Sequence, residues 1–289
     1  MQRKHLLILA AVAAVAINGS PAFAGGSPWL PAPGGGSLTV SYVSQNATEF
    51  FRSTTKSPTP GGGHDLSQKT VWVEGTYGMT DSLALDFRFG GAQSSYATGP
   101  GLPPSQASIS GLADINAGVV WRALDEVVGD GPTVAFRAGV IVAGSYETGY
   151  INSLGDGGNG FELSTLIGKY FDNGFAVSGE FGYRNRTSGD HDIPPNLFAR
   201  LAAGVVVGSR LGLAFNYQME DSTSGLEIGG PGFSPMVFPE LQEDFHVVGP
   251  SVSIAVSDRA NIGASYGRVI AGRNTAVSNV IGVSLNFVF

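Results

Sequence analysis

No cysteine occurs among the 289 residues. A disulfide framework and thiolate metal sites are thereby excluded. Charge is scarce as well, with 16 Lys and Arg against 23 Asp and Glu and a net charge of −7. There is no basic surface for a polyanion, so nucleic acid is not expected as a partner. Also missing is an apolar run able to cross a bilayer as a helix. The longest, Leu6 to Ile17, has about 12 residues, where roughly 20 are needed.

That run nevertheless has a meaning. Arg3 and Lys4 precede it and Ala22-Phe23-Ala24 follows it, the pattern of a secretory signal peptide with cleavage expected after Ala24. Loss of residues 1–24 leaves 265 residues at a net charge of −9. No linker or composition break divides them, so one domain is expected. If this chain spans a membrane, it does so with strands. The stretch GGSPWLPAPGGG (25–36) is too rich in Gly and Pro for a strand. It reads as a flexible periplasmic lead, the alternative being a plug that folds into the lumen with Trp29 as its anchor.

What the chain has in abundance is glycine, 43 residues, and alternation. Leu83, Leu85, Phe87 and Phe89 alternate with Ser82, Ala84, Asp86 and Arg88, a two-residue period with one apolar and one polar face. The pattern recurs at 37–45, 69–79, 82–91, 111–122, 133–146, 161–171, 175–186, 197–207, 211–220, 245–256, 260–270 and 277–289. Tight turns at Thr80-Asp81, Asp172-Asn173-Gly174, Gly208-Ser209-Arg210 and Ser257-Asp258-Arg259 alternate with longer loops such as 46–68, 92–110, 147–160 and 221–244. Short turns at one end and long loops at the other mark an outer-membrane barrel. The expectation is an all-β fold over 37–289: a single closed antiparallel transmembrane barrel of about 12 strands, with both termini periplasmic. A soluble sandwich or lipocalin-like barrel also alternates, but it turns its apolar face into a core.

In the last segment, Val277, Asn279, Ile281, Val283, Leu285, Phe287 and Phe289 share one face. Leu285, Phe287 and the terminal Phe289 resemble the carboxy-terminal signal that barrel-assembly machinery reads. That machinery and outer-membrane lipid are the expected partners, and the bacterial outer membrane the expected location.

If apolar residues face lipid, the opposite parity faces a lumen. This puts Glu74, Asp86, Arg88, Asp114, Arg122, Arg137, Glu162, Glu180, Arg184, Arg186, Arg200 and Glu220 inside, six acids and six arginines. Arginine facing hydrocarbon near the midplane would cost about 2–4 kcal/mol. Two readings stand: a constriction whose field orients polar solutes, or cross-strand pairs that brace a narrow barrel. Symmetry about the Asn173 turn sets Glu162 opposite Arg184; Glu74 falls opposite Asp86 or Arg88, depending on register. Tyr42, Trp72, Tyr77, Trp121, Tyr146, Tyr170, Tyr183, Tyr217 and Tyr266 lie near strand ends, where rings form girdles, although the parity of Trp72 points it inward.

Among the long loops, 221–244 carries Phe233, Met236 and Phe238 among prolines and could fold inward as an apolar lid. His64, His191 and His246 fall in loops or at a strand end, and no phospholipase-like Ser, His and Asn set surrounds them. Catalysis, a metal and a cofactor are not expected.

The segments GTYGMTDSLALDFRFG (75–90), GLADINAGVVWRA (111–123) and NGFAVSGEFGYRNRT (173–187) resemble recurring hairpins of the phenol-degradation channel family of Gram-negative outer-membrane barrels. The resemblance implies a channel for small solutes or apolar compounds, and it carries no binding residues over. Together these readings point to a passive outer-membrane channel for small, apolar or aromatic compounds. The alternative is a non-transporting barrel that binds surface partners through its long loops; the oligomeric state is left open.

Overall fold

A computed structural model describes residues 26–60, 65–96 and 107–289. The segment 1–24 expected to be a signal peptide, His64 and part of the loop 92–110 lie outside the described residues. Among the described residues fifteen strands follow one another: β1 (Gly36–Ala47), β2 (Glu49–Arg52), β3 (Thr55–Pro58), β4 (Leu66–Thr80), β5 (Leu83–Tyr96), β6 (Ser108–Leu112), β7 (Ile115–Leu124) and β8 (Thr133–Val142). Then come β9 (Asn159–Tyr170), β10 (Phe175–Ser188), β11 (Asn196–Val207), β12 (Leu211–Ser222), β13 (Asp244–Ser257), β14 (Ala260–Arg273) and β15 (Asn279–Val288).

Every neighbouring pair in the large sheet is antiparallel, and β1 bonds to both β4 and β15, which closes the sheet on itself. Strands β6 and β7 succeed each other along β5 and form one stave, so the wall has twelve. Closure leaves no edge to be satisfied by lipid, the condition for spanning a bilayer with strands. At the seam Gly36 N donates to Phe289 O (2.9 Å) and Phe289 N to Gly36 O (3.0 Å). The terminal phenylalanine therefore joins the first strand to the last.

The alternation reads directly in exposure. Val40, Tyr42, Leu85, Phe87, Phe89, Phe181, Phe215, Ile281, Leu285 and Phe287 are exposed, whereas Ser41, Asn216, Ser251, Ser253, Ser284 and Asn286 are buried. A soluble sandwich has the opposite arrangement. The outer band is a surface for hydrocarbon to cover, and the polar parity lines the interior.

Three departures from the sequence expectation bear on the interior. The strand expected at 111–122 breaks at Ala113 and Asp114, and the one expected at 133–146 stops at Val142. The cause is Asp114, whose carboxylate turns inward to accept from Gly144 N (3.0 Å) and the Tyr146 hydroxyl (2.6 Å). It thereby draws residues after Val142 off the wall. Second, the loop 46–68 contains the β2–β3 hairpin, tied to the turn after β14 through Phe51 N and Thr275 O (2.8 Å).

Third, residues 26–35 do not hang free as a flexible lead. Gly34 N donates to Gly78 O and Gly78 N to Gly35 O, both at 2.9 Å, beside the turn at 81–82. Upstream of that anchor the chain enters the barrel.

Candidate functional site: a two-chambered lumen

The larger of two interior cavities, about 730 Å³, is lined in part by residues of the tight-turn end such as Gly36, Thr76, Arg122 and Phe289. Eleven of the twelve charged residues assigned inward by parity line it, and the twelfth, Glu220, meets Arg184 at its margin. The sheet register explains the pairing. Arg184 lies opposite Glu162 and Arg200 opposite Glu180, and Arg88, not Asp86, stands opposite Glu74.

Ion pairs follow from that register. Arg184 bridges Glu162 (2.7 Å) and Glu220 (2.6 Å), Arg200 meets Glu180 (2.9 Å), and Arg88 meets Glu74 (3.1 Å). Arg137 reaches across strands to Asp86 (2.6 Å) and Glu162 (3.0 Å), and Asn116 accepts from it as well. Its guanidinium lies flat because Gly139 and Gly118 carry no side chain. A Cβ there would stand 2.6 and 2.8 Å from its terminal nitrogens. Arg122 pairs with Asp125 (3.0 Å) at the turn end. All six arginines are thus within ion-pair distance of carboxylates, which is the bracing arrangement. Trp72 faces the same cavity, with the Arg88 guanidinium 3.9 Å from its ring centre.

The amino-terminal segment narrows this chamber from the turn end. Gly26 N donates to Glu180 Oε2 (3.0 Å), and a Cβ on Gly26 would stand 2.5 Å from Leu166. Trp29 Nε1 donates to Glu126 Oε1 (2.7 Å), its ring lies 4.2 Å from that of Tyr170, and Leu30 packs on buried Val120, Ala135 and Leu166. Tyr170 therefore lies under this segment, against Trp29, and not in a girdle. Tyr146 is also internal; burial and the Asp114 carboxylate push its hydroxyl well above the ordinary tyrosine range. Tyr42, Tyr77, Trp121 and Tyr266 do face outward and are exposed.

A second cavity of about 280 Å³ lies toward the long-loop end. Between the two stands a charged partition. Arg186 lines the larger chamber and pairs with Asp114 (2.9 Å) and with Asp156 (3.1 Å), the latter lining the smaller one. Burial raises the Asp156 carboxyl, and Arg186 partly offsets that rise.

The loop 223–243 roofs the smaller chamber only in part as a lid would. Phe238 lines the chamber and its N–H donates to Gly149 O (3.0 Å). Phe233 packs edge-on against Phe238 (5.7 Å between ring centres), and Met236 is exposed. Asn274 holds the roof. It has φ of 48°, its Oδ1 accepts from Ser53 N (2.9 Å), and its Nδ2 donates to Gln242 O (2.9 Å) and Glu227 Oε2 (3.1 Å). Glu243, inside the roof, accepts from Thr275 Oγ1 (2.6 Å); burial pushes its carboxyl up to about 7. Of the other histidines, His191 stands 3.1 Å from Glu240 and His246 lies 2.7 Å from the Tyr217 hydroxyl.

Sequence parity found the charged wall. It could not find Glu126, Asp156, Glu243 or Asn274, which lie in turns and loops where no periodicity marks a direction.

The family model described as "Putative MetA-pathway of phenol degradation" matches residues 32–287. Among solved structures, an outer membrane channel from Pseudomonas putida F1 superposes with a TM-score of 0.71 at 14% identity, over 90% of this chain and 98% of that one. The NanC porin superposes with a TM-score of 0.52 at 8% identity, over 86% and 98% of the two chains. No curated protein matches the chain.

Proposed function

Because the chain belongs to the family described as "Putative MetA-pathway of phenol degradation", we propose that it is a passive outer-membrane channel for small compounds, apolar and aromatic ones included. The tight turns then face the periplasm and the long loops the exterior. The P. putida neighbour, itself an outer membrane channel, supports the architecture.

The observation that carries the reading is the pair of chambers inside a closed wall, about 730 and 280 Å³, separated by the Asp114–Arg186–Asp156 partition. A barrel serving only as scaffold would fill such volume with side chains, as small barrels do. With the wall arginines neutralised by neighbouring carboxylates, the larger chamber presents little unscreened charge to attract ions. Small neutral compounds suit it better than salts.

The test is permeation through vesicles whose outer leaflet is lipopolysaccharide, a barrier to apolar compounds. Toluene and phenol should enter faster with the protein than without it, and sucrose should not. Equal rates with and without the protein would refute the channel.

A further inference from the structure

Two cations break the rule that charge in this wall turns inward. Arg268 is exposed and shares its face of β14 with the exposed Ile262, Tyr266 and Ile270. Lys69 is exposed and shares its face of β4 with the exposed Val71 and Tyr77. Each stands one outward position beyond the level of an exposed tyrosine: Tyr266 precedes Arg268 on β14, and Tyr42 pairs with Val71, which follows Lys69 on β4. Rings at that level mark the membrane interface. The cations therefore stand about 7 Å further toward the long loops, the rise of two strand residues, where headgroups replace hydrocarbon.

What sets them apart from the lumen arginines is their lack of a carboxylate. All six lumen arginines have one; among the described residues Arg268 and Lys69 form no ion pair. The acids on this rim are engaged elsewhere or lie beyond the sheet. Glu49 pairs with Lys56 (2.7 Å), Asp244 with Arg273 (3.2 Å), and Asp221 stands 3.6 Å from His246. Asp65, four residues upstream of Lys69, is exposed just before β4 begins.

Between the two cations the outward face carries amides and a hydroxyl. Asn279 stands opposite Arg268, Asn46 opposite Asn279, and Ser44 opposite Lys69. The Tyr266 hydroxyl donates to Asn279 Oδ1 (2.7 Å), which leaves the Asn279 amide nitrogen to donate elsewhere. Strands β14, β15, β1 and β4 are successive neighbours, so the cations lie three strand spacings apart, about 15 Å. We infer that this face binds the phosphorylated sugar headgroup of an outer-leaflet lipopolysaccharide. Arg268 and Lys69 pair with its phosphates, and the amides of Asn46 and Asn279 bond its sugar hydroxyls.

The inference rests on the reading that places the long loops outside. The full processed chain, folded in detergent, is titrated with bisphosphorylated lipid A, with dephosphorylated lipid A and with phosphatidylglycerol, bound lipid being counted by native mass spectrometry. Lipid A should bind at least tenfold more tightly than either of the others. Arg268→Gln and Lys69→Gln together should weaken lipid A binding at least fivefold, with heat-modifiable migration and toluene permeation unchanged. Arg259→Gln, at the exposed tight turn after β13, should not weaken it. Equal affinity for lipid A and either comparison lipid would overturn the inference, as would a folded double variant that binds lipid A like the parent. Cleavage of 223–243 by protease added to whole cells reports the orientation separately. Weak lipid A binding beside such cleavage sinks this face alone; absent permeation beside tight lipid A binding sinks the channel alone.

Discussion

The Arg184 guanidinium lies between two carboxylates on different strands, 2.7 Å from Glu162 through Nε and 2.6 Å from Glu220 through Nη1. All three side chains are largely buried. Removing one member of a buried pair leaves charge without its partner and costs about 3–5 kcal/mol at the upper end. Arg184→Leu should therefore lower the urea midpoint of the folded barrel markedly, whereas Arg184→Lys should lower it less. Because Arg137 also neutralises Glu162 (3.0 Å), neither variant that folds should reverse ion selectivity in single-channel recordings. A reversal would mean that the network acts as a field on permeating ions and not as a brace.

Much of this arrangement was legible before any coordinates. Alternation alone placed Glu162, Arg184, Glu180 and Arg200 on one wall, because a strand offers a side chain only two directions. The Asn173 turn then fixed Glu162 against Arg184, while Glu74 kept two possible partners until the bulge near Gly78 set the register with Arg88. The break at Ala113–Asp114 was hidden because the groups that the Asp114 carboxylate turns inward to meet, Gly144 N and the Tyr146 hydroxyl, lie about thirty residues on. The segment 25–36 read as a flexible lead, with Trp29 an anchor only in the alternative, for the same reason: the partner of Trp29, Glu126, is 97 positions away.

The lipid face gives a prediction that depends only on parity. Phe181 is half exposed near the middle of β10, and its neighbours on the adjoining strands are Thr165 and Ala199. Phe181→Arg should cost about 2–4 kcal/mol if that face meets hydrocarbon near the midplane, and Phe181→Leu much less. Unfolding of the two variants in phospholipid vesicles checks this. Equal stabilities would mean that the face meets water or a partner.

Asn274 should act as a latch for the roof of the smaller chamber. Its left-handed φ of 48° costs an alanine roughly 1–2 kcal/mol, and its side chain joins the β2–β3 hairpin to the loop 223–243. Asn274→Ala loses both advantages; Asn274→Gly keeps the backbone and loses only the hydrogen bonds. Limited proteolysis within 223–243 should be fastest for Ala, intermediate for Gly and slowest for the parent. Identical cleavage rates would show that the roof is held elsewhere.

The same roof should loosen as pH rises. The Glu243 carboxyl sits at about 7 in the folded chain against an ordinary 4.5, so folding favours its protonated form. The cost of ionisation is absent below about pH 4.5, grows between about 4.5 and 7, and is complete above that. Proteolysis of 223–243 at pH 8 relative to pH 6 should thus accelerate in the parent and change less in Glu243→Gln, each rate being corrected for the protease's own pH response. A parallel pH response in both proteins would assign the loosening to another group.

The amino-terminal segment offers the sharpest separation of plug from wall. Gly34 and Gly35 bond to Gly78 and extend the wall, whereas residues 26–31 contact Glu180, Glu126 and Tyr170 from within the lumen. Deleting 26–31 should leave the seam between Gly36 and Phe289 intact and remove the obstruction at the turn end. Single-channel conductance should rise at least twofold, with no loss of heat-modifiable migration. Trp29→Ala should raise it by a smaller factor and increase open-channel noise, since the segment keeps its Gly26 bond to Glu180 but loses the indole's hold on Glu126. A deletion variant that folds and conducts like the parent would place the narrowest point of the path elsewhere, at the Asp114–Arg186–Asp156 partition. Charge-neutral substitution of Asp156 and Arg186 together should then raise the conductance that the deletion had failed to raise.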